Sequence, residues 1–128
     1  MKVLLDTHAF LWWVNDDPQL SRRARRIIAA SSNQIFLSAA SAWEIAIKAA
    51  LGRLMIASDP EEFVPEQMRM NGFEPMPIDL RHALQVGSLP AHHGDPFDRI
   101  LIAQAAVEQC TILSADPEIR RYSVRVAW

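Results

Sequence analysis

Val3-Leu4-Leu5-Asp6-Thr7-His8-Ala9-Phe10-Leu11-Trp12-Trp13 (VLLDTHAFLWW, residues 3–13) decides how the rest of the chain is read. Lys2 to Leu5 is a short, mostly apolar run of strand length. Asp6 ends it, and Thr7 to Val14, carrying Phe10, Leu11, Trp12 and Trp13, is expected to be a helix. Outward from this stretch the alternation recurs. Pro18 to Ala30 is expected to be a second helix, with Leu20, Ala24, Ile27 and Ile28 on one face and Arg22, Arg25 and Arg26 on the other. Gln34 to Leu37 reads as a strand. Ser41 to Leu51 follows as a helix, with Ser41 and Glu44 at capping-box spacing and Gly52 as its stop.

Pro60 to Met70 is a further expected helix, kinked or delayed by Pro65 and ended by Gly72. Phe73 to Met76 reads as a strand and Leu80 to Val86 as a short helix. Pro96 to Gln109 is a helix with Asp95 as N-cap and Pro96 in its first turn. Thr111 to Ser114 is a strand, a turn of helix follows Pro117, and Ser123 to Val126 is a closing strand. Strand alternating with helix predicts an α/β fold: a mainly parallel sheet flanked by helices. In such sheets ligands bind beyond the carboxyl ends of the strands.

The chain has 128 residues, the size of one domain, and neither repeats nor a linker divide it. Half of it is apolar and 22% is charged, a globular profile, and the net charge of -2 points to no particular partner. The single cysteine, Cys110, excludes an intrachain disulfide and a multi-cysteine zinc site, and its apolar neighbours mark it as a buried small hydrophobe. Asp6 and His8 interrupt the N-terminal apolar run, no small-residue cleavage site follows, and no stretch is long enough to span a bilayer. A cytoplasmic location, away from the membrane, is expected.

Acidic residues sit where the carboxyl-edge rule points. Asp6 follows the strand ending VLL and Asp116 the strand ending ILS; Glu44 and Asp98 each stand three residues after a candidate N-cap, Ser41 and Asp95. Carboxylates that converge cannot all stay ionised without a counter-charge, because like charges raise one another's pKa. A hard divalent cation supplies that charge, and oxygen-only ligation favours Mg²⁺ or Mn²⁺ over zinc. A cation so held can acidify a water and neutralise a phosphodiester under in-line attack. Each acid also has a purely structural reading: Glu44 completing its capping box, Asp98 favouring the helix dipole, Asp6 and Asp116 capping the segments after them.

VLLDTHAFLWW, SAASAWEIAIKAALGRL, HHGDPFDRILIAQA and ILSADPEIRRY together resemble PIN-domain ribonucleases, specifically VapC-type toxins of toxin–antitoxin pairs, in order and spacing along nearly the whole chain. The resemblance implies one PIN domain over residues 1–128, a three-layer α/β/α fold and a Mg²⁺-dependent endoribonuclease site, with Mn²⁺ as a substitute. The family's acids map onto Asp6, Glu44, Asp98 and Asp116, and its hydroxyl residues onto Thr7 and Ser114, where they would bond a carboxylate or a metal-held water. Asp95 fits a helix cap and support better than a ligand. Lys48 either pairs with Glu44 four residues earlier or approaches substrate phosphate. The resemblance also implies an RNA substrate, a homodimer and a cognate antitoxin that covers the site.

Other readings are weaker. A haloacid-dehalogenase-like phosphohydrolase wants an aspartate where His8 stands, and no Gly-rich turn follows the first strand for a dinucleotide. A non-catalytic module that binds RNA or a partner through the same pocket stays open. Arg22, Arg23, Arg25 and Arg26 read as a solvated face ahead of a grip on phosphates, and Arg99 as a surface or interface residue. His8 is expected to pack in a hydrogen-bonded setting, whereas His92 and His93 lie in a loop near the site. Trp12, Trp13, Trp43 and Phe97 are expected in the core or at a dimer interface, and Trp128 is less constrained.

Overall fold

The computed structural model describes residues 1–128. The elements run β1 (Lys2–Leu5), α1 (Thr7–Val14), α2 (Arg22–Ala29), β2 (Gln34–Ser38), α3 (Ala39–Ala50), α4 (Pro60–Asn71), β3 (Glu74–Met76), α5 (Leu80–Val86), α6 (Pro96–Glu108), β4 (Thr111–Leu113), a 3₁₀ turn (Ile119–Arg121) and β5 (Val126–Ala127). The strands form one sheet in the order β3-β2-β1-β4-β5, and every pairing is parallel. β1 is central, aligned Leu5 to Leu37 on one side and Leu5 to Leu113 on the other. The chain builds outward from β1 to β3, then crosses back to lay β4 on the opposite flank. The strand order therefore reverses between β1 and β4, the place where such sheets open a crevice at their carboxyl edge.

Side chains of a strand alternate between faces, and the two halves of the core follow that period. Val3, Leu5, Ile35, Leu37 and Leu113 pack beneath α1, α2 and α4 against Phe10, Ala24, Ile28, Phe63 and Val64. Leu4, Ile112 and Met76 face the other way, onto Leu101, Ile102 and Ala105 of α6 and onto Ile119 and Tyr122. α3 straddles the halves, with Ile45 in the first and Ala40 in the second. The result is the expected three-layer α/β/α arrangement around a short parallel sheet. No helix is long and apolar enough to cross a membrane.

Several boundaries differ from those expected, each for a local reason. α3 starts at Ala39, directly off β2, because the Ser38 hydroxyl accepts the Ala40 N–H at 3.0 Å. Ser41 consequently lies inside the helix, buried and with its hydroxyl unpartnered, and the expected Ser41–Glu44 capping box does not form. α2 begins at Arg22 instead of near Pro18, since Ser21 caps it through the Ala24 N–H. α4 runs through Pro65 and ends at Gly72, whose φ of 69° is the left-handed conformation that glycine adopts without a Cβ penalty. α6 stops at Glu108 because Gln109 is left-handed at φ 57°. β5 pairs over Val126–Ala127 in place of Ser123–Val126.

Candidate active site

The crevice between β1 and β4 is lined by Asp6, His8, Trp12, Ala115, Asp116 and Pro117. Asp6 leaves β1 while its own N–H still donates to Leu113 O of β4 at 3.1 Å, so the carboxylate is buried at the junction of the two strands. Its Oδ1 caps α1 by accepting the Ala9 N–H at 2.7 Å. Burial holds the Asp6 carboxyl above its ordinary value; the Ser114 side chain, the Ala9 N–H and His8 oppose the rise, and the charge of Asp116 adds to it. The expected cap and a carboxylate facing the site are therefore one side chain in two roles.

Ser114, fully buried at the end of β4, accepts the Asp116 N–H at 3.0 Å, and Asp116 Oδ1 in turn accepts the Glu118 N–H at 2.9 Å. This turn leaves Asp116 Oδ2 open. Asp98, which is not among the residues lining this crevice, sits in the first turn of α6, with its N–H held by the N-cap Asp95 at 3.0 Å. Burial pushes the Asp98 carboxyl up to about 6, against the hydrogen bond from His93 and with help from the charges of Asp95 and Asp116. Asp116 thus acts on both Asp6 and Asp98.

Glu44 joins through a neighbour. The Thr7 hydroxyl donates to Glu44 Oε1 at 2.7 Å, and Lys48 Nζ holds Oε2 at 2.8 Å. Because α3 begins early, Glu44 stands in the second helical turn, not the first. Of the two settings open for Lys48, this geometry is the pairing with Glu44. No lysine or arginine forms an ion pair with Asp6, Asp98 or Asp116.

Other expectations are corrected. Arg99 is not a free surface residue: its guanidinium donates to the carbonyls of Pro90 (2.9 Å), Val86 (3.3 Å) and Leu89 (3.5 Å) and to Tyr122 Oη (3.0 Å). It ties the end of α5 and the loop before α6 together through their carbonyls. Of the two settings expected for Trp43, core or dimer interface, its 61% exposure excludes the core; it rests edge-on against Phe97 at 5.3 Å. His8 is exposed and stacks on Trp12 at 5.5 Å, and Trp128 meets Trp12 from another side at 5.7 Å. In α2, Arg25 pairs with Asp16 at 2.7 Å, while Arg22, Arg23 and Arg26 are solvated.

Sequence reasoning passed over His82, which is 1% exposed. Its Nδ1 accepts the Asp79 N–H at 3.0 Å in a capping box for α5, and its Nε2 faces Glu108 Oε1 at 2.9 Å. Asp79, His82 and Glu108 bring their ligand atoms within 4.8 Å of one another. Arg81, however, bonds both carboxylates at 2.8 Å, and neither ring nitrogen has a lone pair left for a cation. The group is a latch between α5 and the end of α6. The spacing of Asp79 and His82, N-cap to third helical position, was the available signal.

Comparison with known proteins bears on the family and the fold. The family model for the PIN domain matches residues 3–124. Ribonuclease VapC16 of Mycobacterium tuberculosis is 45% identical over 58 residues, which are 45% of this chain and 41% of that protein, so the match spans about two-fifths of the curated relative's length. Among solved structures, VapBC2 from Rickettsia felis bound to a DNA fragment from its promoter superposes with a TM-score of 0.74 at 13% identity, over 99% of this chain and 98% of that one. DNA-bound VapBC from Salmonella typhimurium gives 0.72 at 18% identity, over 99% and 97%. At such identities the structural likeness speaks for the fold, and the family match covers almost the whole chain. The chain belongs to the PIN domain family.

Proposed function

We propose that this protein is a Mg²⁺-dependent endoribonuclease, the toxin of a toxin–antitoxin pair, and that Asp6, Glu44, Asp98 and Asp116 hold the cation. The observation that carries the proposal is the electrostatic imbalance of the crevice. Asp6 and Asp98 are raised by burial, Asp116 repels both, and no lysine or arginine pairs with any of the three. A hard divalent cation fits that donor set, which is all oxygen, and Mn²⁺ fits it too.

When bound, the cation supplies neutralisation of phosphodiester charge and acidification of a water. The protein's part is positioning. Asp6 is locked by the Ala9 N–H, Asp116 by the Ser114 hydroxyl and the Glu118 N–H, and Asp98 by Asp95 and His93. Thr7 and Lys48 fix both oxygens of Glu44, so its charge is held near the crevice in one orientation. No protein nucleophile is used; Cys110 is buried against Ile112 and Tyr122 in the core.

The likeness to a protein named as a ribonuclease supports RNA as the substrate. Exposed apolar side chains on α3 (Trp43, Ile47), at its C-cap (Leu51) and on α5 (Leu80, Leu84) support protein partners, here a second copy of the chain and a cognate antitoxin. The test is cleavage of a labelled RNA pool by the purified protein in Mg²⁺ or Mn²⁺, with EDTA as control and single-stranded DNA as competitor. Cutting of RNA that EDTA abolishes is expected. Cutting that persists in EDTA would remove the cation from the account, and metal binding without any cutting would favour a binding module.

A further inference from the structure

We infer that His93 is a positioning residue for Asp98, the last link of a hydrogen-bonded chain from Arg99 through Tyr122 that decides which Asp98 oxygen is offered to a cation. The inference rests on the metal site proposed above. Arg99 Nη1 lies 3.0 Å from Tyr122 Oη, Tyr122 Oη 2.8 Å from His93 Nδ1, and His93 Nε2 3.1 Å from Asp98 Oδ2.

The direction of the chain follows from donor chemistry. A guanidinium only donates, so the Tyr122 oxygen accepts from Arg99. An ionised Asp98 carboxylate only accepts, so the proton of the neutral His93 ring is assigned to Nε2, facing Oδ2, and Nδ1 accepts the Tyr122 hydroxyl proton. Oδ2 is thereby committed to the protein and Oδ1 is left open. Both His93 nitrogens are engaged, so the ring is not a free general base.

The chain is also mechanically held. Tyr122 is buried, its ring meets His93 edge-on at 5.4 Å and His92 at 4.9 Å, and Arg99 is pinned by loop carbonyls. Three separate segments therefore converge on one carboxylate: the loop before α6, α6 itself and the turn after β4. Histidine to carboxylate contacts of this kind orient metal ligands, and their loss typically weakens metal binding about 10- to 100-fold.

The experiment is Mn²⁺ titration of the full chain by electron paramagnetic resonance, with the EDTA-treated unfolding midpoint and circular dichroism recorded alongside. Asp98→Asn is the control for site-dependent binding. His93→Ala is expected to keep its fold and weaken Mn²⁺ binding about 10- to 100-fold. His93→Gln, whose amide N–H can stand in for Nε2–H, should recover most of that loss, and His93→Leu should not. The Gln and Leu variants carry the comparison if the alanine variant does not fold. Mn²⁺ binding that requires Asp98 but is within about twofold of wild type in His93→Leu and His93→Ala overturns the positioning role alone. Wild-type protein that binds no Mn²⁺ overturns the metal site, and this inference with it.

Discussion

Asp98 makes the metal-free protein sensitive to pH in a direction opposite to that of a salt-bridged carboxylate. Its carboxyl is pushed from 3.8 to about 6, chiefly by burial. A raised carboxyl pKa contributes stability that is present below the unfolded value and lost as pH rises through the folded one. A shift of about 2 units is worth about 3 kcal/mol in full, of which roughly half is lost between about pH 5 and about pH 7. Asp6, also raised by burial, acts in the same direction. Asp79 and Glu108 are lowered by their hydrogen bonds to Arg81 and His82, so they lose stability toward acid; keeping above about pH 5 separates the effects. The assay is urea unfolding in EDTA across that window for wild type and Asp98→Asn. Wild type is expected to weaken by roughly 1–2 kcal/mol toward neutral pH, Asp98→Asn to weaken less, and saturating Mg²⁺ to reverse the wild-type trend. Equal slopes for the two proteins in EDTA would refute the reasoning.

Other outcomes follow from single contacts. Asp6→Asn should reduce RNA cleavage to background, measured on labelled RNA, while leaving the circular dichroism spectrum unchanged, because it removes charge at nearly constant volume. Ser41→Ala should raise the unfolding free energy by about 1 kcal/mol in urea titration, since it deletes a buried hydroxyl that has no partner. His82→Ala should lower it by about 2–4 kcal/mol, because the capping box of α5 and its bond to Glu108 are lost from a buried position.

The sheet was legible because its strands are read locally. Lys2–Leu5 is apolar on both faces and ends at Asp6, and the Asp95-Pro96 pair marks the start of α6 unambiguously. Starting points with two serines were not: Ser38 and Ser41 are both acceptable N-caps, and only the short path from β2 selects Ser38. β5, two residues on a sheet edge, carries too little pattern to locate. The acids Asp6, Asp98 and Asp116 could be found because each follows a strand or opens a helix at one edge of the sheet. The Arg99–Tyr122–His93 chain could not, since His93 and Tyr122 are 29 positions apart and nothing in their spacing implies contact. For Trp43 the choice between core and interface stayed open, because an apolar helix gives no sign of which face its neighbours will cover.

The central claim is that the crevice carboxylates work by holding a cation. The most direct test measures Mg²⁺-dependent RNA cleavage and Mn²⁺ binding together on wild type, Asp6→Asn, Asp98→Asn and Asp116→Asn. The account predicts that each variant stays folded and loses binding and cleavage in parallel. A folded variant that cuts RNA at the wild-type rate, or cleavage that survives the loss of metal binding, would contradict it.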